Sequence, residues 1–437
     1  MSHPPDRLPL FPDTITIEDD SLHIAGHSLS GVAARYGTPL YVYDRHTMDA
    51  AVSRYREALR AHYPAAASIT YAGKAFLCRA VADWAGQQGL LVDCTGQGEL
   101  SIAAAARLPA SSIVAHGVNK SPADLEAAAA HAGILVVDNL SELRRLVQLV
   151  KDPGGMLPSV WLRLQPGEAV ATHHAHTQTG QAGSKFGMTP DELREAARLA
   201  VASGLQVDGV HFHQGSNFRD TGPLVGAIEL ALHLIKQIGL PQQWHLCPGG
   251  GWGAAYHEDE LPQPDIDEYV RVIAHEVLKR CRLIGLPLPV LHLEPGRSLV
   301  ARAGVAVYRV GSVKRRRNRT WLLIDSGLAD NPRHALYAAK YTCLPVKGLG
   351  RARTETASIA GPFCETGDVL IEDLPLPPIE EGELLAVPVS GAYQLSMASN
   401  YNGATRPAAV WLERGKCRLI LRRETTADLS HRQLSIM

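Results

Sequence analysis

Lys74 ends the apolar run Ser68-Ile69-Thr70-Tyr71-Ala72-Gly73-Lys74, where a strand delivers its last side chain to whatever lies beyond it. A partly desolvated amine at such a place loses its proton more readily and becomes a nucleophile able to form a Schiff base. The ordinary alternative is a lysine reaching along its aliphatic stem to solvent. Other residues bear on the choice. Gly249-Gly250-Gly251 follows Cys247-Pro248, and consecutive glycine amides can enclose a phosphate without Cβ interference; a plain tight turn would use the same residues. Gly215-Ser216-Asn217, just past His213, offers a hydroxyl and amides to the same anion. His213 could ligate a metal, act as a base, stack on a flat ring or be satisfied within its loop. Glu294-Pro295-Gly296-Arg297 sets a carboxylate and a guanidinium across a turn. A carboxylate beside a pyridine nitrogen keeps it protonated, and an arginine grips phosphate or carboxylate through paired hydrogen bonds; a local ion pair is the simpler reading.

Cys364-Glu365 lies in the loop Gly361-Pro362-Phe363-Cys364-Glu365-Thr366-Gly367-Asp368. Most single cysteines are inert filler, but one flanked by proline and acids in a loop is exposed and able to donate a proton. His173, His174 and His176 raise the question of a metal site; their spacing on a polar loop, with no carboxylate or cysteine close by, makes a weak ligand set, and no metal is assigned.

The elements that must carry these residues alternate. Strand-like runs at Ile69–Ala75, Leu90–Cys94, Ile113–Gly117, Ile134–Asn139, Val160–Leu164, Val210–His213, Trp244–Pro248 and Leu291–Glu294 are separated by Ala/Leu-rich helical stretches. Eight such runs are what a (β/α)8 TIM-type barrel requires, and its working residues sit where strands end. Lys74, Asp93, His213, the glycine run and Glu294 all fall there. Ser121-Pro122 and Thr189-Pro190 read as helix starts, as does Asn139. From about Ala303 strand-like runs dominate: Val305–Val313, Trp321–Ile324, Ala357–Ala360, Leu384–Val389, Ala408–Leu412 and Arg418–Leu421. They predict an antiparallel, sandwich-like β domain. The expected organisation is a barrel over 41–302 and a discontinuous β domain from 1–40 and 303–437, with Met1–Pro12 frayed.

Composition bounds the rest. The chain has 437 residues, 46% of them apolar, and a formal net charge of -1. No global field recruits nucleic acid or an anionic membrane, and no apolar run approaches the ~18 residues of a membrane span. The basic run Lys314–Arg319 lacks interleaved aromatics and reads as a solvated hairpin tip. Seven scattered cysteines without a CxxC pair suit a reducing, cytoplasmic compartment.

Taken in order, these segments resemble the fold-type III pyridoxal-phosphate (PLP) decarboxylases, most closely the diaminopimelate decarboxylases, over nearly the whole chain from Gly37 to Gly403. The resemblance rests on Tyr71-Ala72-Gly73-Lys74-Ala75, His176-Thr177-Gln178-Thr179-Gly180, Ser184-Lys185-Phe186-Gly187 and His211-Phe212-His213-Gln214-Gly215-Ser216-Asn217. It continues through the triple glycine, Glu294–Arg297, Asp330-Asn331-Pro332-Arg333-His334-Ala335-Leu336-Tyr337, the Cys364 loop, Gly391-Ala392-Tyr393 and Asn400-Tyr401-Asn402. It implies that Lys74 binds PLP covalently, His213 stacks on the ring and Glu294 pairs with its nitrogen. Asp93, Ser216, Gly250, Gly251, Arg297 and Tyr393 would complete the cofactor site. Arg297, Arg333, Tyr337, Glu365 and Tyr393 would surround an amino-acid substrate, and Cys364 would act across a homodimer interface in a shared active site. Related enzymes act on ornithine, lysine or carboxynorspermidine, and non-catalytic PLP carriers share the barrel. The Cys-Glu pair, where ornithine enzymes carry Cys-Asp, and the paired arginines favour a substrate with a second carboxylate.

Overall fold

Eight short runs of β-branched and apolar residues close into a parallel barrel: β1 (Ala67–Ala72), β2 (Leu91–Thr95), β3 (Ile113–His116), β4 (Ile134–Val137), β5 (Ser159–Arg163), β6 (Val207–His211), β7 (His245–Cys247) and β8 (Val290–Leu293). Each pairs with its sequence neighbours, and β8 returns to β1 with Leu291 opposite Ala67. Every expected strand is present. Their near-continuous apolar character reflects burial on both faces, by barrel interior and by helices. This computed structural model describes residues 6–150, 158–167, 179–413 and 415–436.

The helix starts read from sequence are realised as caps. Ser121 Oγ accepts from the Asp124 amide while Asp124 returns a bond to the Ser121 amide. Thr189 and Glu192 repeat this reciprocal arrangement, and Asn139 Oδ1 accepts from the Glu142 amide at 2.9 Å. Among the described residues, no helix is long and apolar enough to cross a membrane.

The chain divides into two compact units, one of Ala51–Gly253 with Pro264–Gly296 and one of Met1–Ala50, Ala254–Gln263 and Arg297–Met437. The first contains the barrel. The second is built on a nine-stranded sheet in which Gly304–Arg315 is the longest member. Most of its pairings are antiparallel, as expected, but two are parallel: Leu40–Asp44 with Ala408–Glu413, and Thr320–Ile324 with Glu355–Ala360. Neither pair is joined by a hairpin, so nothing in the connection forces an antiparallel direction. The basic run does form the tip between Gly304–Arg315 and Thr320–Ile324.

One expectation fails. Of the segment Met1–Pro12, residues 6–12 are not frayed: Arg7 is 1% exposed and donates to Glu258 at 2.7 Å and to the Cys343 and Pro375 carbonyls. Three acceptors and a buried Phe11 anchor it. The polar, proline-rich composition that suggested fraying describes a segment whose single arginine is its tether.

Candidate active site

At the end of β1 the chain makes one tight turn, Gly73–Ala75, and the Ala72 amide donates to Pro295 O at 3.1 Å, tying this turn to the end of β8. Gly73 and Ala75 are buried, whereas Lys74 is exposed. The partly desolvated amine inferred from sequence is therefore not what the chain itself supplies: the turn projects Lys74 out of the packed strand end. Its charge nonetheless acts on Asp93, the middle residue of β2 and not its end as the sequence suggested, and on His213. Asp93 is 3% exposed, and burial raises its pKa against the pull of His116, Lys74 and Arg163.

Glu294, just beyond β8, is 7% exposed and carries a hydrogen bond on each oxygen. His116 Nε2 lies 3.0 Å from Oε1 and His211 Nε2 lies 2.9 Å from Oε2. Burial pushes this carboxyl up, but the two imidazoles outweigh it and hold its pKa well below the usual range. Burial lowers His211 to about 4, so near neutrality its ring is uncharged and stabilises the carboxylate through its N–H. The three ligand atoms lie within 4.8 Å of one another, within reach of a divalent cation. Hydrogen bonding alone accounts for the spacing, since each imidazole addresses a separate oxygen.

Arg163, the last residue of β5, is buried beside Asp138 at 3.3 Å and lies 4.8 Å from the Phe186 ring centre. Asp138 also accepts from the Gly187 amide at 3.2 Å. Burial lowers the Arg163 pKa, opposed by Asp138, Glu294 and Asp93, so this guanidinium belongs to the same charged cluster.

The triple glycine is packed as tightly as its composition implies. A Cβ on Gly250 would stand 1.8 Å from the Glu294 carbonyl oxygen, and one on Gly251 (φ +98°) 2.0 Å from that of Gly215. The glycines thus let this turn lie against both the end of β8 and the Gly215-Ser216-Asn217 turn, where Phe218 N donates to Gly251 O at 3.2 Å. The Gly250 amide, which the resemblance assigns to phosphate, donates to His213 Nδ1 at 3.3 Å. That bond fixes His213 as a neutral ring, in keeping with a pKa driven well below normal by burial, Lys74 and Arg163. Thr179 Oγ1 donates to the His213 carbonyl at 2.8 Å, and the Thr179 and Gly180 amides to that of Gln214, which explains the Thr-Gly end of the 176–180 motif. His173, His174 and His176 lie outside the described residues.

The second unit holds the remaining candidates. Arg297 donates to the Tyr256 hydroxyl and lies 4.7 Å from the Tyr393 ring centre. Arg333 is 1% exposed, donates to the Tyr341 hydroxyl at 2.6 Å and lies 4.2 Å from the Tyr256 ring centre. Among the described residues no carboxylate pairs with it; aromatic faces and a phenol offset its burial instead. Gln394, with its amide turned to donate to Ala392 and Ser390, accepts from Tyr341 at 2.8 Å. Tyr337 is half-buried on the short helix Arg333–Tyr337. Cys364 is the exposed member of the seven free cysteines, beside an exposed Glu365. Asp368 pins their loop by accepting from the Phe363 and Leu328 amides at 2.9 and 2.7 Å, and Cys364 N donates to Asn402 Oδ1 at 3.0 Å.

Sequence reasoning missed His116, His211, Arg163, Asp138 and Tyr256. The first four were detectable by the rule that found Lys74, because each closes or immediately follows an apolar barrel strand. Tyr256 carried no comparable signal.

The barrel unit thus gathers an amine, a neutral imidazole, a glycine turn and a buried ionised carboxylate, the donor set that PLP needs. A family model described as "Pyridoxal-dependent decarboxylase, pyridoxal binding domain" matches residues 46–301. The chain is 39% identical to a diaminopimelate decarboxylase of Synechocystis over 434 residues, covering 96% of this chain and 92% of the relative. It is 39% identical to that of Bacillus subtilis over 422 residues, covering 93% and 94%. The crystal structure of a diaminopimelate decarboxylase from M. jannaschii in co-complex with L-lysine superposes with a TM-score of 0.88 at 31% identity, over 97% of this chain and 98% of that one. A lysine/ornithine decarboxylase from Vibrio vulnificus follows at a TM-score of 0.74 and 25% identity, over 88% and 97%. The chain belongs to the pyridoxal-dependent decarboxylases, within the diaminopimelate decarboxylase family.

Proposed function

We propose that this chain decarboxylates meso-2,6-diaminopimelate at its D-configured centre, giving L-lysine and carbon dioxide as the last step of lysine biosynthesis. The observation that carries the reading is the convergence of Lys74, His213, the glycine turn and Glu294 at the C-terminal ends of one closed barrel. Bound PLP supplies an aldehyde for covalent attachment and a ring that accepts the electron pair released with carbon dioxide. Lys74 offers the anchoring amine, His213 its uncharged ring face, and Glu294 an acceptor for the ring N–H. Asp93, Ser216, Gly250, Gly251, Arg297 and Tyr393 complete the cofactor contacts.

Substrate discrimination falls to the second unit. Arg333, buried without a carboxylate partner among the described residues, suits the distal carboxylate of diaminopimelate, and its burial makes such an anion worth more there than in water. Arg297, Tyr337 and Tyr393 frame the substrate, and Glu365 suits its distal ammonium. Cys364 Sγ holds the proton returned to carbon. Its exposure supports a homodimer in which Cys364 of the partner subunit serves each site. Seven free cysteines are in keeping with a cytoplasmic location. Carbon dioxide release tests the reading, with diaminopimelate, lysine, ornithine and arginine each supplied with and without PLP. Diaminopimelate alone should be turned over, and only with PLP; borohydride should fix the cofactor to Lys74. Turnover of ornithine in preference, or label on another lysine, would overturn it.

A further inference from the structure

We propose that His116 and His211 are positioning residues that clamp Glu294 as a fixed, ionised carboxylate. On this view the imidazole pair, and not Glu294 alone, sets whether the pyridine nitrogen of bound PLP carries a proton. The inference rests on the reading that Glu294 faces that nitrogen.

An ionised carboxylate only accepts hydrogen bonds, and it has about four lone-pair positions to fill. His116 takes one at Oε1 and His211 one at Oε2, at 3.0 and 2.9 Å. The donors come from the ends of two different strands, β3 and β6, so Glu294 cannot rotate without breaking bonds to separate parts of the barrel. One lone-pair position on each oxygen remains.

The tautomers follow from the same geometry. Because the carboxylate cannot donate, both Nε2 atoms carry hydrogen, and a neutral ring then has a bare Nδ1. His211 Nδ1 is buried with no hydrogen-bond partner among the described residues. The two rings meet edge to face, 4.6 Å between centres, which fixes each against the other. The remaining charged or titratable groups around the clamp are Asp93, 4.0 Å from His116 Nε2, together with Arg163, Lys74, His213, His292, Tyr269 and Cys247. None of them donates to Glu294 in place of the imidazoles.

Burial by itself favours the protonated acid. A neutral carboxyl would turn from acceptor to donor, leaving the ring nitrogen without its proton and the ring a poorer electron sink. The two N–H groups oppose this by donating to both oxygens, and the neutral His211 ring does so without adding a cation that would repel the pyridinium.

The test reads the ring nitrogen directly. Holoenzyme reconstituted with PLP labelled with 15N at the ring is titrated by nitrogen NMR. The variants are His116→Leu, His211→Leu, His116→Gln, His211→Gln and Glu294→Gln. Each leucine variant should lower the ratio of protonated to unprotonated ring nitrogen about tenfold at a given pH, the worth of one charge-assisted hydrogen bond. The glutamine variants keep an N–H donor and should recover most of the parent ratio. A merely structural role would make both kinds of variant lose cofactor alike, without moving this ratio. Should His211→Leu fail to retain PLP, His116→Leu carries the same comparison through the other oxygen. A parent-like nitrogen in Glu294→Gln would refute the placement of Glu294 itself. A shifted nitrogen in Glu294→Gln beside unshifted leucine variants would overturn the clamp alone.

Discussion

The buried pair Lys120–Glu142 is the most demanding interaction beside the site, and its disruption has an asymmetric expected cost. Lys120 follows β3, and its ammonium donates to Gly117 O, Val136 O and Glu142 Oε1 at 2.8, 2.7 and 2.8 Å. Three protons meet three acceptors, and the two side chains are 2% and 0% exposed. Burial pushes Lys120 down and Glu142 up, each opposed by the other. Glu142→Ala leaves an ammonium buried with two carbonyls and should cost about 3–5 kcal/mol. Lys120→Met leaves a carboxyl already inclined to protonate, which becomes neutral instead, so its cost should be smaller. The double variant Lys120→Met/Glu142→Leu removes both charges and should cost about 1–3 kcal/mol for the carbonyl groups left short of a donor. Midpoints of urea unfolding in the holoenzyme, followed by intrinsic fluorescence, give the three values. If Glu142→Ala shifts the midpoint no further than the double variant does, the buried charge is not the source of the cost and the reasoning fails. Because Gly117 directly follows His116, Glu142→Ala should also weaken the hold on Glu294, visible as a reduced fraction of protonated ring nitrogen.

Two other predictions concern assembly and pH. Lys74→Ala and Cys364→Ala are each expected to be nearly inactive, yet unfolding and refolding them together should restore roughly a quarter of parental activity, since half the dimers then contain one intact site; no recovery would place both residues in one subunit's site. Below pH 6.5 stability should fall steeply, because His211 and His292 titrate at about 4 and about 3 when folded, burial being the first cause of each shift. The unfolded chain takes up protons on both near 6.5 while the folded chain does not, so stability is complete above that pH. It is lost toward pH 4 at about 1.4 kcal/mol per unit for each histidine. His292→Leu should flatten this slope between pH 6 and 4; an unaltered slope in urea unfolding would remove His292 from the account.

The barrel was legible because its strands are buried on both faces, and a run such as Ile134-Leu135-Val136-Val137 has few other uses. Strand Val369–Leu376 was missed because Glu372, Asp373 and Pro375 interrupt its pattern. It lies at the edge of its sheet, where a missing N–H and a bulge at Asp373 (φ +47°) are tolerated. Segment 6–12 misled for a related reason. Local composition reports what a chain does alone, whereas Arg7 is fixed by partners hundreds of residues away.

At the site, the residues found from sequence are those whose chemistry is conspicuous by type: an amine ending a strand, a glycine run, a carboxylate across a turn. The ones missed act by holding these in place. His116 and His211 reach Glu294 from positions 178 and 83 residues away, a relation that exists only once the barrel closes. Closure brings the ends of β3, β6 and β8 around one point, and each polar residue ending those strands must then find a partner there or be buried without one. A polar residue that terminates an apolar barrel strand is therefore constrained by the opposite side of the barrel more than by its sequence neighbours. For this chain that rule yields His116, Arg163 and His211 from one criterion. It also explains why the groups preparing the site lie as deeply buried as the core.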